Sequence, residues 1–190
     1  MSVGTGAEMR RAVRVDPGGI LPEEYFATRY ATLRKPLGFP LGSERIVDDC
    51  DAVHAWVEAE GSIVAVGRAH LIPSDSDGSA ADHAGPNAAT CPAFDPLNGM
   101  EGFPNPESLR PAFQIRQMGT LEQWRRKGCA GDVLTQLERG ASEVWGCASG
   151  WLQARIDAIP FYKQMGWKTF GSTYDVAGIG AHVSMYKLCN

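Results

Sequence analysis

Arg125-Arg126-Lys127-Gly128-Cys129-Ala130-Gly131 is the stretch on which the fold of this chain turns. It follows Ala112–Thr120, which reads as a strand. It leads into Asp132–Trp145, where Val133, Leu134, Leu137, Ala141 and Val144 recur at helical spacing. Small residues at 128, 130 and 131 let the backbone approach a ligand closely. The first N–H groups of a helix have no internal partner, and the helix dipole is positive there. Three consecutive basic side chains add charge. Together these features suit a phosphate or pyrophosphate. A P-loop is not supported, because Gly128 follows the lysine where that motif needs Gly-Lys-Ser/Thr. The dinucleotide fingerprint also fails, since Gly128-x-Ala130-x-x-Val133 lacks its third glycine. Taken alone, the heptad reads equally as a basic loop capping an ordinary helix.

Outward from the heptad, further stretches fall in an ordered series. Ile115-Arg116-Gln117-Met118-Gly119-Thr120 leads into it. Leu152-Gln153-Ala154-Arg155 follows, then Ala158-Ile159-Pro160-Phe161-Tyr162-Lys163-Gln164-Met165-Gly166-Trp167. Ala181-His182-Val183-Ser184-Met185-Tyr186-Lys187 closes the chain. Upstream stand Leu33-Arg34-Lys35-Pro36-Leu37-Gly38, Asp51-Ala52-Val53-His54 and Ile63-Val64-Ala65-Val66-Gly67-Arg68-Ala69-His70. Arg125-x-x-Gly128-x-Ala130 fits the pattern Q/R-x-x-G-x-G/A. With these neighbours in this order, the chain resembles the GNAT N-acetyltransferases, in a small-molecule acetyltransferase branch. The resemblance covers most of the chain except about residues 73–111.

The resemblance implies an α/β (α+β) fold: a mixed, mostly antiparallel sheet with helices on both faces. Its fourth and fifth strands, here Phe113–Thr120 and Gly150–Gln153, splay apart like a V. It implies acetyl-CoA as co-substrate and no metal. Main-chain groups at Met118, Gly119 and Thr120 would pair with the pantetheine amides as another strand would. Arg125, Arg126, Lys127, Gly128, Cys129, Ala130 and Gly131 would hold the pyrophosphate, with Ala154 and Phe161 completing the cofactor set. Tyr162 is the implied proton donor to the departing thiolate. The histone-acetylating branch has a glutamate where Gln114 stands, and Gln114 takes no proton. His70, His182 and Glu122 are therefore the candidate bases. Arg68 and Arg116 lie on expected central strands. They either bind Asp48, Asp49 or Asp51, or face the acceptor and hold a carboxylate. Cys129 sits where a helix N-terminus would lower its pKa, but no base is apparent beside it.

Turn and periodicity signals supply the remaining elements. Arg11–Val15 reads as a strand and Asp16-Pro17-Gly18-Gly19 as a turn. Pro22 opens a helix carrying Phe26, Tyr30 and Leu33, which Pro36, Gly38 and Pro40 end. Ala52–Ala59 and Ser62–Ile72 form a hairpin about Glu60-Gly61. Gly150–Ala154 reads as a strand, Asp157 as the N-cap of the helix bearing Tyr162, and Trp167–Val176 and His182–Leu188 as final strands. Pro73–Pro111 holds seven of the twelve prolines and reads as a long loop, either a solvated insertion or a lid.

Composition bounds the rest. The 190 residues suit a single domain spanning 1–190, with 44% hydrophobic and 21% charged residues. A net charge of −4 argues against a general nucleic-acid binder. No stretch approaches the ~20 apolar residues of a membrane helix, and no secretory leader is evident. The five cysteines are scattered, which fits reduced thiols and a cytoplasmic location. The expected partner is a small-molecule amine. A homodimer is the expected assembly, with the five tryptophans as exposed aromatics. Two alternatives stand beside acetyl transfer: a longer acyl donor, or a non-catalytic acyl-CoA sensor.

Overall fold

A computed structural model describes residues 10–72, 109–176 and 178–189. The expected insertion at about 73–111 therefore lies almost wholly outside the described residues. The strands are β1 (Arg11–Val15), β2 (Val53–Ala59), β3 (Ser62–Ile72), β4 (Ala112–Thr120), β5 (Ser149–Arg155), β6 (Lys168–Val176) and β7 (Gly180–Leu188). The helices are α1 (Glu23–Arg29), α2 (Cys129–Trp145) and α3 (Ile159–Gln164). Among the described residues, one seven-stranded sheet runs β1-β2-β3-β4-β5-β7-β6. Every pairing is antiparallel except β4 with β5.

Alternation along β2 sorts the two faces. Val53, Ala55 and Val57 join the core under α2, with Val133, Leu134 and Leu137. His54 and Trp56 point the other way and meet Tyr25 of α1. The hairpin turn at Glu60-Gly61 has positive φ at both residues (51° and 75°), the backbone a two-residue hairpin requires. After Arg29 the chain widens into a π-helical turn, Tyr30–Arg34, and a 3-10 turn, Lys35–Leu37. The π turn lies against β4 at Gly119, where an added Cβ would stand 2.2 Å from Thr32 Oγ1. Only glycine permits that approach.

Two features of β4 shape the space beside it. Its pairing with β5 is confined to Ala112↔Ser149, Phe113↔Gly150 and Gln114↔Trp151. From Ile115 onward the two strands part, while β5 stays paired with β7 as far as Arg155↔His182. On its other edge β4 carries a bulge. Val66 pairs with Gly119 but Arg68 pairs with Arg116, so Gln117 and Met118 together oppose Gly67. Gln117 takes φ 54° there. The extra residue reverses the alternation. Met118 consequently lies on the α2 side, beside Gly67 and near Val133, and Gly119 turns to α1.

Some expectations need correction. Asp157 does not cap the third helix: it lies in a 3-10 turn, Ile156–Ala158, and the N-cap is Ala158, with no side-chain cap bond. Pro22 is an N-cap rather than a first-turn residue. The second helix begins at Cys129, three residues earlier than its apolar periodicity indicated. The tryptophans do not furnish an exposed aromatic face, because Trp56, Trp124, Trp151 and Trp167 are all buried.

Between α1 and the sheet lies a buried ionic cluster. Arg29 and Arg68 are both fully buried, and each bonds Asp49, at 2.9 Å and 2.8 Å. Arg68 also bonds Asp48 at 2.9 Å. Burial alone would raise the Asp49 carboxyl, but Arg29, the Ile46 amide and Arg68 hold it below its ordinary value. His54, buried beside them, bonds the Tyr25 hydroxyl at 2.9 Å. Desolvation pushes its ring from 6.5 down to about 4. The unfolded chain thus takes up a proton on His54 near pH 6.5, while the folded protein resists it until about 4. Stability from this residue is complete above pH 6.5 and declines across that window, by roughly 3 kcal/mol in all. Unfolding midpoints in urea should fall steadily from pH 7 to pH 4. Constant midpoints would remove His54 from the account.

Candidate active site

The parted strands open a cleft of about 200 Å³. Ile115, Arg116, Gln117 and Met118 line it from β4, and Leu152, Gln153, Ala154 and Arg155 line it from β5. Leu33, Arg34 and Leu37, from the turns after α1, close one side. Val176, Ile179 and His182 close another, and Tyr162 reaches in from α3. The volume is below the roughly 300–1,000 Å³ of drug-sized sites, so it suits a compact group.

Tyr162 packs against the core on the α2 side, edge-on to Phe161 (centroids 4.9 Å apart) and to Trp167 (6.3 Å). Its hydroxyl lies 3.7 Å from Met118 Sδ, a weak acceptor. Burial pushes the phenol up to about 12, so it stays protonated at any ordinary pH. Phe161 packs against the core and is not among the cleft-lining residues.

The opposite side of the cleft is polar. His182 pairs with Arg155 across β5–β7 and with Tyr174 across β6–β7, and it stacks on the Tyr174 ring. His182 Nδ1–H donates to the Gly180 carbonyl at 2.7 Å, which leaves the Nε2 lone pair available. The other two candidate bases lie elsewhere. Glu122 is exposed in the turn Glu122–Trp124 beyond the end of β4. His70 bonds Gln114 Oε1 at 3.1 Å and is pushed by burial down to about 3. Neither lines the cleft. The two strand arginines are also separated. Arg68 is held by Asp48 and Asp49, whereas Arg116 lines the cleft.

The basic turn lies beyond β4. Gly128 takes φ 86°, a left-handed conformation that favours glycine, and serves as the N-cap of α2. Arg126 also takes a positive φ, 60°. Arg125, Arg126 and Lys127 are exposed, and Lys127 Nζ lies 4.3 Å from the Trp124 ring centroid. The turn gains a fourth cation that nothing in the heptad announces. Arg10, just before β1, bonds the Lys127 carbonyl and reaches Asp132 Oδ2 at 2.8 Å. Its guanidinium lies 2.9 Å from where a Cβ on Gly128 would stand. Cys129 departs from expectation: burial, with the Asp132 charge, pushes its thiol up despite Arg10 and Lys127. Gly119 and Thr120 pair with Val66 and Ala65 of β3, and no β5 residue pairs with them on the other edge.

Comparison with known proteins adds three findings. No family model matches the chain. Over 76 residues, 40% of this chain, it is 34% identical to YitI of Bacillus subtilis (strain 168), an uncharacterized N-acetyltransferase; that match spans half of the relative's length. Escherichia coli ElaA superposes with a TM-score of 0.64 at 15% identity, covering 94% of this chain and 99% of that one. FeeM, an N-acyl amino acid synthase from uncultured soil microbes, superposes with a TM-score of 0.63 at 8% identity, covering 97% and 93%. The chain is thus similar in part of its sequence to an N-acetyltransferase, and it shares the fold of these solved structures over nearly its whole length.

Proposed function

We propose, on the premise of that shared GNAT fold, that this chain transfers an acetyl group from acetyl-CoA to the primary amine of a small molecule. The transfer is direct, within a ternary complex. The observation that carries this reading is the position of the cleft. It opens where β4 and β5 part, with Tyr162 on its α2 side and His182 and Arg116 on the other. Donor and acceptor meet there from opposite faces of the sheet.

In this reading Met118, Gly119 and Thr120 offer main-chain groups to the pantetheine arm. The N–H groups from Arg126 to Gly131 hold the pyrophosphate, with Arg125, Lys127 and Arg10 supplying charge. Ala154 lines the passage for the thioester. The amine nitrogen attacks the thioester carbonyl carbon, and the C–S bond breaks. The proton lost by the amine goes to His182 Nε2, and the Tyr162 hydroxyl is directed to the departing sulfur. A backbone N–H near Met118 stabilises the charge that develops on the carbonyl oxygen. His70 and Glu122 take no part. The volume of the cleft favours a short acyl group over a long one.

Incubation with acetyl-CoA and a pooled panel of primary amines tests the activity. The expected result is free thiol together with an acetylated amine in the mass spectrum. Coenzyme binding without turnover of any amine would favour a sensor. The basic turn is tested separately by Gly128→Val. A β-branched residue held left-handed costs on the order of 1–3 kcal/mol, and its Cβ would crowd Arg10. The affinity for CoA by calorimetry should fall at least about tenfold. An unchanged Kd would place the pyrophosphate elsewhere.

A further inference from the structure

Among the described residues, the charged side chains that line the cleft, apart from histidine, are arginines. Arg34, Arg116 and Arg155 line it, and among the described residues no aspartate or glutamate does. A chain of side-chain hydrogen bonds crosses β3, β4 and β5 into the same space. His70 Nε2 lies 3.1 Å from Gln114 Oε1, and Gln114 Nε2 donates to Gln153 Oε1 at 2.6 Å. The sense of this chain is fixed at its far end. His70 Nδ1 is buried without a partner among the described residues. A buried ring N–H left unbonded costs more than an unused lone pair, and burial with the charges of Arg116 and Arg68 keeps the ring from taking a second proton. The hydrogen therefore sits on Nε2 and is given to Gln114. Gln114 must then donate to Gln153, and Gln153 has its oxygen occupied. What remains is Gln153 Nε2, buried and without a partner among the described residues, on a side chain that lines the cleft. It carries two N–H donors and no means of presenting an acceptor.

We propose that the acceptor is an amine that carries a carboxylate, an amino acid or a close analogue, held by the Gln153 amide and the Arg116 guanidinium. The proposal rests on the acyltransferase reading and narrows it to a substrate class. Gln114 is a positioning residue: it touches no substrate but sets which end of the Gln153 amide faces the cleft. The buried Gln117 Oε1, likewise without a partner among the described residues and also in the lining, is the acceptor available to the amine hydrogens.

The test pairs each free α-, β- or γ-amino acid with its own carboxamide, with acetyl-CoA as donor. The amide keeps the amine and loses the charge. Its amine is also the less basic, so intrinsic reactivity favours the amide and any preference for the acid comes from the protein. The best free acid should exceed its amide in kcat/KM by at least about tenfold. Gln153→Leu and Arg116→Gln should raise KM for the acid about tenfold while changing kcat less, and should leave the amide nearly unaffected. Gln114→Glu is the decisive variant. A carboxylate there only accepts, so Gln153 must turn its N–H groups toward it and present oxygen to the cleft. The preference for acid should shrink or reverse although Gln153 itself is unchanged. Circular dichroism establishes that each variant folds, and the wild-type acid–amide comparison requires no variant. Amides and neutral amines turning over as well as acids would overturn this inference and leave acyl transfer standing. No turnover of any amine would instead reject acyl transfer. In that event thermal shifts of the CoA complex by acids against amides decide the carboxylate grip, and equal shifts reject it.

Discussion

Asp49→Ala should cost roughly 3–5 kcal/mol of unfolding free energy, because it leaves two buried guanidinium groups short of their shared counter-ion. Asp49 receives Arg29 Nη1 on both oxygens at 2.9–3.0 Å, Arg68 Nη1 at 2.8 Å and the Ile46 amide at 3.0 Å. Arg29 and Arg68 are fully buried and draw no hydration to replace it. Arg68 keeps Asp48, which is 31% exposed, while Arg29 keeps the neutral Glu44 carbonyl and Tyr25 hydroxyl. The loss therefore falls chiefly on Arg29. Asp49→Asn, which preserves an acceptor oxygen, should lie between wild type and alanine. Urea unfolding followed by circular dichroism reads both. A loss below about 1 kcal/mol for alanine would mean that Asp48 alone neutralises the cluster.

Tyr162→Phe should lower kcat about 100-fold while CoA affinity changes less than about twofold, since the substitution removes one hydroxyl and keeps the ring. The expected effect follows from position and protonation. The hydroxyl faces the cleft beside Met118, and burial holds its pKa at about 12. A thiol near 8.5 is the stronger acid, so Tyr162 acts by hydrogen-bonding the departing sulfur as charge develops and does not fully release its proton. Wild-type kcat should accordingly show no alkaline limb from this residue below about pH 10. A phenylalanine variant that keeps more than half of the activity would remove Tyr162 from the reaction.

Much of the framework was legible because it is written locally. Val53, Ala55 and Val57 alternate as a half-buried strand must, and Glu60-Gly61 marks its turn. The stripe from Val133 to Ala141 announces α2. The arrangement of the site was less legible, because it depends on partners distant in the chain. Arg68 and Arg116 are the same residue type on paired positions, and only the loop carrying Asp48 and Asp49 separates them. Arg10 meets Lys127 across 117 positions, with no motif to signal it. The Cys129 thiol is pushed up by its burial, and burial is a property of the packed chain. The Gln153–Gln114–His70 chain spans three strands, and no spacing rule along one segment reveals it.

The additional residue in β4 makes this strand sensitive to length rather than to composition. Substitutions between Arg116 and Thr120 are local events. Deleting Gly119 would let the bulge close with Gln117 opposite Gly67, sending the Met118 thioether to the α1 side and against Thr32. Such a frame slip would dismantle both walls of the opening at once, so insertions and deletions should be purged from these few positions even where exchanges of one side chain for another are tolerated.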